Sequence, residues 1–236
     1  GVLASSVGMD KVYTKAIFEK AKINQTPYIY IKKVNEEYKI ITEEFEEEKL
    51  DLKKITLKLK YPMFVKPSNS GSSVGVKKAT NEEELKIAIE NAGQYDNKIL
   101  VEQGVIGREV ECAVLDDKDV IASTVGEIVS AEEFYSFDAK YNIPDSKTII
   151  PADIEEVQIE QIRKLAVKAF KAIDGKGLSR VDFFIENDTQ NIFINEINTM
   201  PGFTKISMYP KLFEAVGIKY AELLDKLIKN AIDSKK

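Results

Sequence analysis

The sequence predicts an α+β chain built on antiparallel sheets. Two observations carry this. Helix-like and strand-like segments are interspersed along the chain, and several strand-like runs are joined by connections of hairpin length, which a doubly wound parallel sheet does not use. The 236 residues, 44% of them hydrophobic, supply a sizeable core for one large domain or two smaller ones. No internal repeat or low-complexity linker appears. The boundary is expected in the stretch from Glu102 to Gly107, dividing the chain into subdomains 1–103 and 104–236.

The elements follow in order. "MDKVYTKAIFEKAKI" suits a helix capped by Asp10, with Val12, Ala16, Ile17 and Ala21 at helical spacing. "TPYIYI" is a strand. The charged segment from Asn35 to Leu59 is expected to be partly helical, with "TEEFEEEKLD" as a solvated helix face. "YPMFVKP" and "VGVKKA" read as strands around the polar loop "SNSGSS". In "TNEEELKIAIENAG", Thr80 and Glu83 have capping-box spacing and Gly93 lies near the end. "KILVEQ" and "REVECAVL" are strands, and "DVIASTVGEIV" is a strand pair or one bent strand. Residues 130–151 show no clean period and read as a long functional loop. In "DIEEVQIEQIRKLAVKAFKAI", Asp153 and Glu156 are the expected caps; Ile159, Ile162, Leu165, Ala166, Ala169, Phe170 and Ile173 form one stripe. A hairpin, "RVDFFIENDTQNIFINEIN", and an amphipathic tail helix complete the chain.

Composition excludes several chemistries. A net charge of −5 argues against a nucleic-acid partner. No apolar run reaches the ~18 residues of a membrane span. The single cysteine, Cys112, alternates with Val110 and Val114 as a buried strand residue does, and a chain with one cysteine suits a reducing cytoplasm. With no histidine there is no Ser-His-Asp triad, no Cys-His dyad and no His-ligated zinc. A metal here should be a hard cation held by oxygen. The start at Gly1 rather than Met suggests a processed or truncated beginning.

The hairpin holds the sharpest signal. Side chains alternate along a strand, so Arg180 and Asp182 share one face, as do Glu196 and Asn198. A turn centred near Thr189 sets Asp182 opposite Glu196 and Arg180 opposite Asn198, and opposed residues point to the same side. Val181, Phe183, Ile194 or its neighbours, and Ile197 then supply the opposite face. Two carboxylates and an amide oxygen beside each other suit Mg²⁺, which takes one or two carboxylates plus phosphate oxygens and water. Alternation alone leaves open a solvated face with an Arg–Asp pair. The turn in "TMPGFT" ends the strand beside this patch with free backbone N–H groups.

"VKPSNSGSSVGV" places Lys66 just before a small-residue loop whose amides and hydroxyls can cradle phosphates. It is not a Walker loop, because GxxxxGK[ST] is absent and strands flank it on both sides. Lys11 by itself reads as surface. Glu102 and Glu109 bracket "QGVIGR" as ribose or amine acceptors or as solvated strand ends; Glu111 is left structural.

Together, "MDK", "FVKPSNSGSSVGV", "VEQGVIGREVECAVL", "GEIVSAEEFYSFDAKY", "GLSRVDFFIE" and "NEINTMPGFTKISMYP" resemble the ATP-grasp ligases, and closely the D-alanine–D-alanine ligase family. The motifs occur in the family's order and cover nearly the whole chain. The resemblance implies an ATP-grasp fold, its two α+β subdomains clamping a nucleotide. It further implies ATP as substrate, two Mg²⁺ ions with Mn²⁺ as a substitute, and D-alanine joined to D-alanine for peptidoglycan. It casts Lys11 and Lys66 on the α- and β-phosphates, Glu102 beside the adenine amine with Gln103 and Val105 along the base, and Glu109 on the ribose. Asp182, Glu196 and Asn198 become metal ligands; Lys140 and Tyr141 belong to a loop that meets the γ-phosphate. Ser72 sits near the second amine, Arg180 and the Gly202 amide at the oxyanion, and Ser207 and Met208 at the second carboxylate.

Ser136 and Phe137 replace the Asp and Tyr common in the family's loop. D-lactate-using relatives carry a histidine there, which this chain lacks. Family members also have an additional N-terminal α/β domain before the "GVLAS" segment that helps bind the first D-alanine. The expectation is therefore the central and C-terminal part of a ligase, a homodimer at full length. The alternatives are a non-catalytic nucleotide-binding module and another ATP-grasp amino-acid ligase.

Overall fold

The computed structural model describes residues 1–129, 147–204 and 206–233. Two antiparallel sheets organise them. The first runs β3-β2-β1-β6-β4-β5, from β1 (Tyr28–Val34), β2 (Glu37–Ile41), β3 (Glu47–Lys49), β4 (Met63–Pro67), β5 (Lys77–Ala79) and β6 (Lys98–Gln103). The second runs β11-β10-β7-β8-β9, from β7 (Gly107–Asp116), β8 (Val120–Val129), β9 (Lys147–Ile149), β10 (Leu178–Glu186) and β11 (Ile192–Asn198). "DVIASTVGEIV" is thus one strand, and "VGVKKA" is extended only over its last three residues.

Apolar periodicity decides what each sheet buries. The first sheet packs Ile29, Ile31, Val65 and Val101 against α3 (Leu52–Lys58) and α4 (Glu82–Ala92), which present Ile55, Leu85, Ala88 and Ile89. The second sheet is covered on both faces. Val110, Cys112 and Val114 of β7 meet Ile162, Ala166, Ala169 and Phe170 of α5 (Glu156–Ala172). Ala113 and Leu115 meet Tyr209, Leu212 and Phe213 of α6 (Met208–Glu214) and Leu223 of α7 (Tyr220–Asp233). Burial on both faces explains the near-continuous apolar run in "ECAVL". It also pushes the Cys112 thiol up to about 12.

Two helices, α1 (Val2–Met9) and α2 (Lys11–Lys20), precede the first sheet. Their buried Ala4 and Phe18, with Ile23 just after, nevertheless belong to the core of the second. Gln103 ends the last strand of the first sheet, and Gly107 starts the first strand of the second.

Three local expectations are corrected. The acidic run is not a helix face: Glu47 and Glu48 lie on edge strand β3, where Glu47 pairs with Lys32 and Lys39, and Asp51 caps α3. Charge on an edge strand discourages further strand pairing. Helix α4 is capped by Asn81, which accepts from the Glu84 amide at 3.0 Å, while Thr80 donates to the Glu84 carboxylate. Helix α5 starts from Glu155, whose amide donates to Gln158, not from Asp153. In each helix a neighbouring polar residue takes the capping position.

Candidate active site

A cavity of about 400 Å³ lies between the two sheets. Phe64, Lys66, Glu102 and Gln103 reach it from the first sheet; Arg108, Glu109, Glu127, Phe184, Asn195 and Glu196 reach it from the second. Of the expected residues, Lys11, Lys66, Ser72, Glu102, Gln103, Val105, Glu109 and Glu196 line it.

Asp10 does not line the cavity but anchors the segment that brings Lys11 to it. Its carboxylate accepts from the amides of Val12 and Tyr13, starting α2, and from Ser68 Oγ at 2.6 Å; it also pairs with Lys98. Burial opposes the charge on Asp10, but Lys98 and these donors hold its carboxyl below the usual range. The cap therefore ties the helix to the end of β4, and Lys11 Nζ donates to Ser70 O at 2.6 Å. Beyond Ser70 the loop turns through Ser72 (φ 52°) and Ser73 (φ 60°), a left-handed pair unusual outside glycine and often kept at ligand sites.

Glu102 is 4% exposed and sits between two lysines. Lys15 Nζ is 2.6 Å from Oε1 and Lys66 Nζ is 2.6 Å from Oε2, while Thr26 donates to Oε1 at 2.9 Å. Burial alone would raise this carboxyl, but the two ammonium groups hold it far below the usual carboxylate range. Lys66 also reaches across to Asn195 Oδ1, at 3.4 Å, on the second sheet. Gln103 is held as well: its Oε1 accepts from the Lys60 amide at 3.0 Å.

The hairpin pairs as alternation requires, with Arg180 opposite Asn198 and Asp182 opposite Glu196. Between Asp182 and Phe183 the register shifts, leaving Asn195 without an opposite residue. That bulge lets Ile194 and Ile197 both point into the core although they stand three positions apart, and Asn195 lines the cavity beside Glu196. Arg180 grips Asp182 with two bonds of 2.7 Å and lies 3.1 Å from Glu111, which is itself buried and opposite Asp182 on β7. Burial opposes the guanidinium charge, but Asp182 and Glu111 outweigh it, so its pKa rises further.

Among the described residues no three His, Cys, Asp or Glu side chains group to hold a metal, so an oxygen site here needs Asn198. Asn198 Nδ2 lies 3.0 Å from Asp182 Oδ2 and 3.3 Å from Glu196 Oε1, between the two carboxylates. Rotating the amide replaces this donor with an oxygen, which the carboxylates accept only around a cation. Two carboxylates and an amide oxygen are a donor set that fits Mg²⁺, whose remaining positions phosphate oxygens and water would take.

Arg180, Asp182, Asn198, Gly202, Ser207 and Met208 do not line the cavity. Gly202 is exposed, and a Cβ there would meet Ser207 Oγ at 2.8 Å. Ser207 Oγ accepts from the Thr204 amide at 3.0 Å. The Met208 side chain is buried in the core beside Leu212 and Tyr209, which leaves its backbone for any substrate contact. Lys140 and Tyr141 lie outside the described residues. Sequence reasoning missed Lys15, Asn195, Thr26 and the Arg108–Glu127 pair, held by bonds of 2.6 and 2.5 Å. Lys15 had a signal: it stands three residues from both Val12 and Phe18, on the buried stripe of α2.

The family model described as the D-ala D-ala ligase C-terminus matches residues 17–229. A D-alanine–D-alanine ligase of Acetivibrio thermocellus is 55% identical over 234 residues, covering 98% of this chain and 60% of that protein. That of Clostridium acetobutylicum is 48% identical over 98% of the chain and 65% of its own length. Among solved structures, the Coxiella burnetii D-alanine–D-alanine ligase superposes with a TM-score of 0.81 at 33% identity, covering 99% of this chain and 59% of that one. The VanG D-Ala:D-Ser ligase of Enterococcus faecalis gives 0.81 at 36% identity, covering 96% and 62%. The chain thus spans about 60% of the length of the Acetivibrio relative. On the match of its sequence and its two sheets, the chain belongs to the D-alanine–D-alanine ligase C-terminal family.

Proposed function

We propose that this chain carries the ATP site and acyl-transfer site of a ligase that joins two D-alanines. One observation carries the reading: Lys66, on β4 just before the loop that would cradle phosphates, bridges to Asn195 beside Glu196, so an anion-binding group and a metal-binding group meet in one cavity. Residues 1–103 supply the nucleotide clamp, and residues 104–236 the metal and substrate site.

A carboxylate is a poor acyl donor because its oxygen leaves badly. Phosphoryl transfer from ATP to the first D-alanine makes an acyl phosphate, and catalysis of that step is mostly positioning and charge neutralisation. Lys11 and Lys66 hold the α- and β-phosphates, Lys140 the γ-phosphate. Glu102, Gln103 and Val105 face the adenine, and Glu109 the ribose. Mg²⁺ held by Asp182, Glu196 and Asn198 would neutralise phosphate charge, and Mn²⁺ would substitute. The second D-alanine's neutral amine, placed by Ser72, attacks the acyl carbon, and phosphate leaves; Tyr141 belongs to the loop that brings Lys140 to the γ-phosphate. Arg180 and the Gly202 amide stabilise the oxyanion, each worth roughly 3 kcal/mol by analogy with other oxyanion sites. Ser207 and the Met208 backbone hold the second carboxylate. The setting is the cytoplasm, with a homodimer as the full-length assembly and neither nucleic acid nor membrane as partner.

Full-length protein carrying this sequence, given ATP, Mg²⁺ and D-alanine, should release phosphate and form the dipeptide. No phosphate release would contradict the ligase reading. Release with product only when another amino acid is supplied would keep the ligase and replace the substrate. The VanG relative makes D-serine the first alternative to screen.

A further inference from the structure

We propose that Lys15 is a positioning residue, the fixed counter-ion of Glu102 that frees Lys66 to exchange this carboxylate for a nucleotide phosphate. The inference rests on the nucleotide reading above. The two lysines touch the same carboxylate at the same 2.6 Å, yet their surroundings differ. The Lys15 side chain is 4% exposed and does not line the cavity. It is enclosed by Thr26, 3.4 Å from its Nζ, and by the ring of Tyr28, 5.3 Å from it. No ligand entering the cavity touches it. The Lys66 side chain is 16% exposed, lines the cavity, and already reaches beyond Glu102 to Asn195.

This asymmetry has a physical consequence. A buried carboxylate stripped of its only cation is strongly destabilised. If Lys66 were the sole partner of Glu102, turning to a phosphate would leave such a carboxylate behind, and Lys66 would stay locked. Lys15 keeps Glu102 neutralised, and Thr26 keeps it hydrogen-bonded, whichever way Lys66 points. Lys15 therefore acts on the phosphates through Glu102 and Lys66 without approaching them.

The test compares ADP with adenosine, which lacks the phosphates, in the full-length protein carrying this sequence. Lys15→Met should weaken ADP about tenfold, equivalent to about 1.4 kcal/mol, and leave adenosine within about twofold. Adding Glu102→Gln should return ADP affinity to that of Glu102→Gln alone. Unchanged ADP affinity in Lys15→Met, or equal losses for ADP and adenosine, overturns the inference; the second result marks a packing defect. Should Lys15→Met fail to fold, Glu102→Gln with and without Lys15→Met decides. Equal ADP affinity supports the inference, and a tenfold difference overturns it. If the unmodified protein binds neither ligand, the nucleotide reading itself fails, and this inference with it.

Discussion

The two buried charge clusters are inversions of each other. At Glu102, one carboxylate is held by two lysines. At Arg180, one guanidinium is held by Asp182 and Glu111, with Glu196 adding to its field. The first gathers lysines about an acid and the second gathers acids about an arginine. Grouped ammonium groups attract anions, and grouped carboxylates attract cations. The first therefore favours an anion and the second a divalent cation. A nucleotide phosphate with its metal brings both, which is why clusters on different sheets read as one site.

Removing the acceptors at the Arg180 end should have the largest effect. Asp182→Ala or Glu196→Ala in the full-length protein should lower turnover by about a thousandfold or more. Near-normal rates would remove the metal assignment. Next comes the centre of that cluster. Arg180→Met removes the guanidinium that buried Glu111 and Asp182 share and should cost about 3–5 kcal/mol in urea unfolding, partly restored by added Mg²⁺. A loss below about 1 kcal/mol would show that the acids there do not depend on it. The smallest effect concerns the other cluster and pH. The Glu102 carboxyl is lowered from its ordinary 4.5 in the folded state. Its stabilisation is thus fully present above that ordinary value and lost as pH falls through the lower folded value. The stability difference between the unmodified protein and Glu102→Gln should be flat from about pH 7 to about pH 5 and shrink below about pH 4.5. A difference that instead grows on acidification would contradict the lysine clamp.

The same contrast separates what the sequence showed from what it hid. The hairpin was legible because a period of two and a turn centre together determine which residues oppose one another, and the register obeys both. The bulge at Asn195 was not, since alternation assumes that no residue is skipped; the clue was that Ile194 and Ile197 cannot share a face without one. Lys66 and Glu102 were each visible at the end of an apolar strand. Their pairing with Lys15 was hidden because α2 and β6 meet only in three dimensions, Lys15 and Glu102 being 87 positions apart. Glu111 looked structural for the same reason: its partner Arg180 lies on another strand. Helix caps shifted by a residue or two where adjacent polar side chains compete for one amide.

Calorimetric titration of ADP with and without Mg²⁺, in the unmodified protein, in Lys66→Gln and in Glu196→Gln, tests the division of labour between the clusters most directly. Mg²⁺ should tighten ADP binding in the unmodified protein. Lys66→Gln should weaken ADP under both conditions, and Glu196→Gln should abolish only the increment from Mg²⁺. Identical ADP affinity with and without Mg²⁺ in the unmodified protein, or a Lys66→Gln variant that binds as tightly as the original, would contradict it.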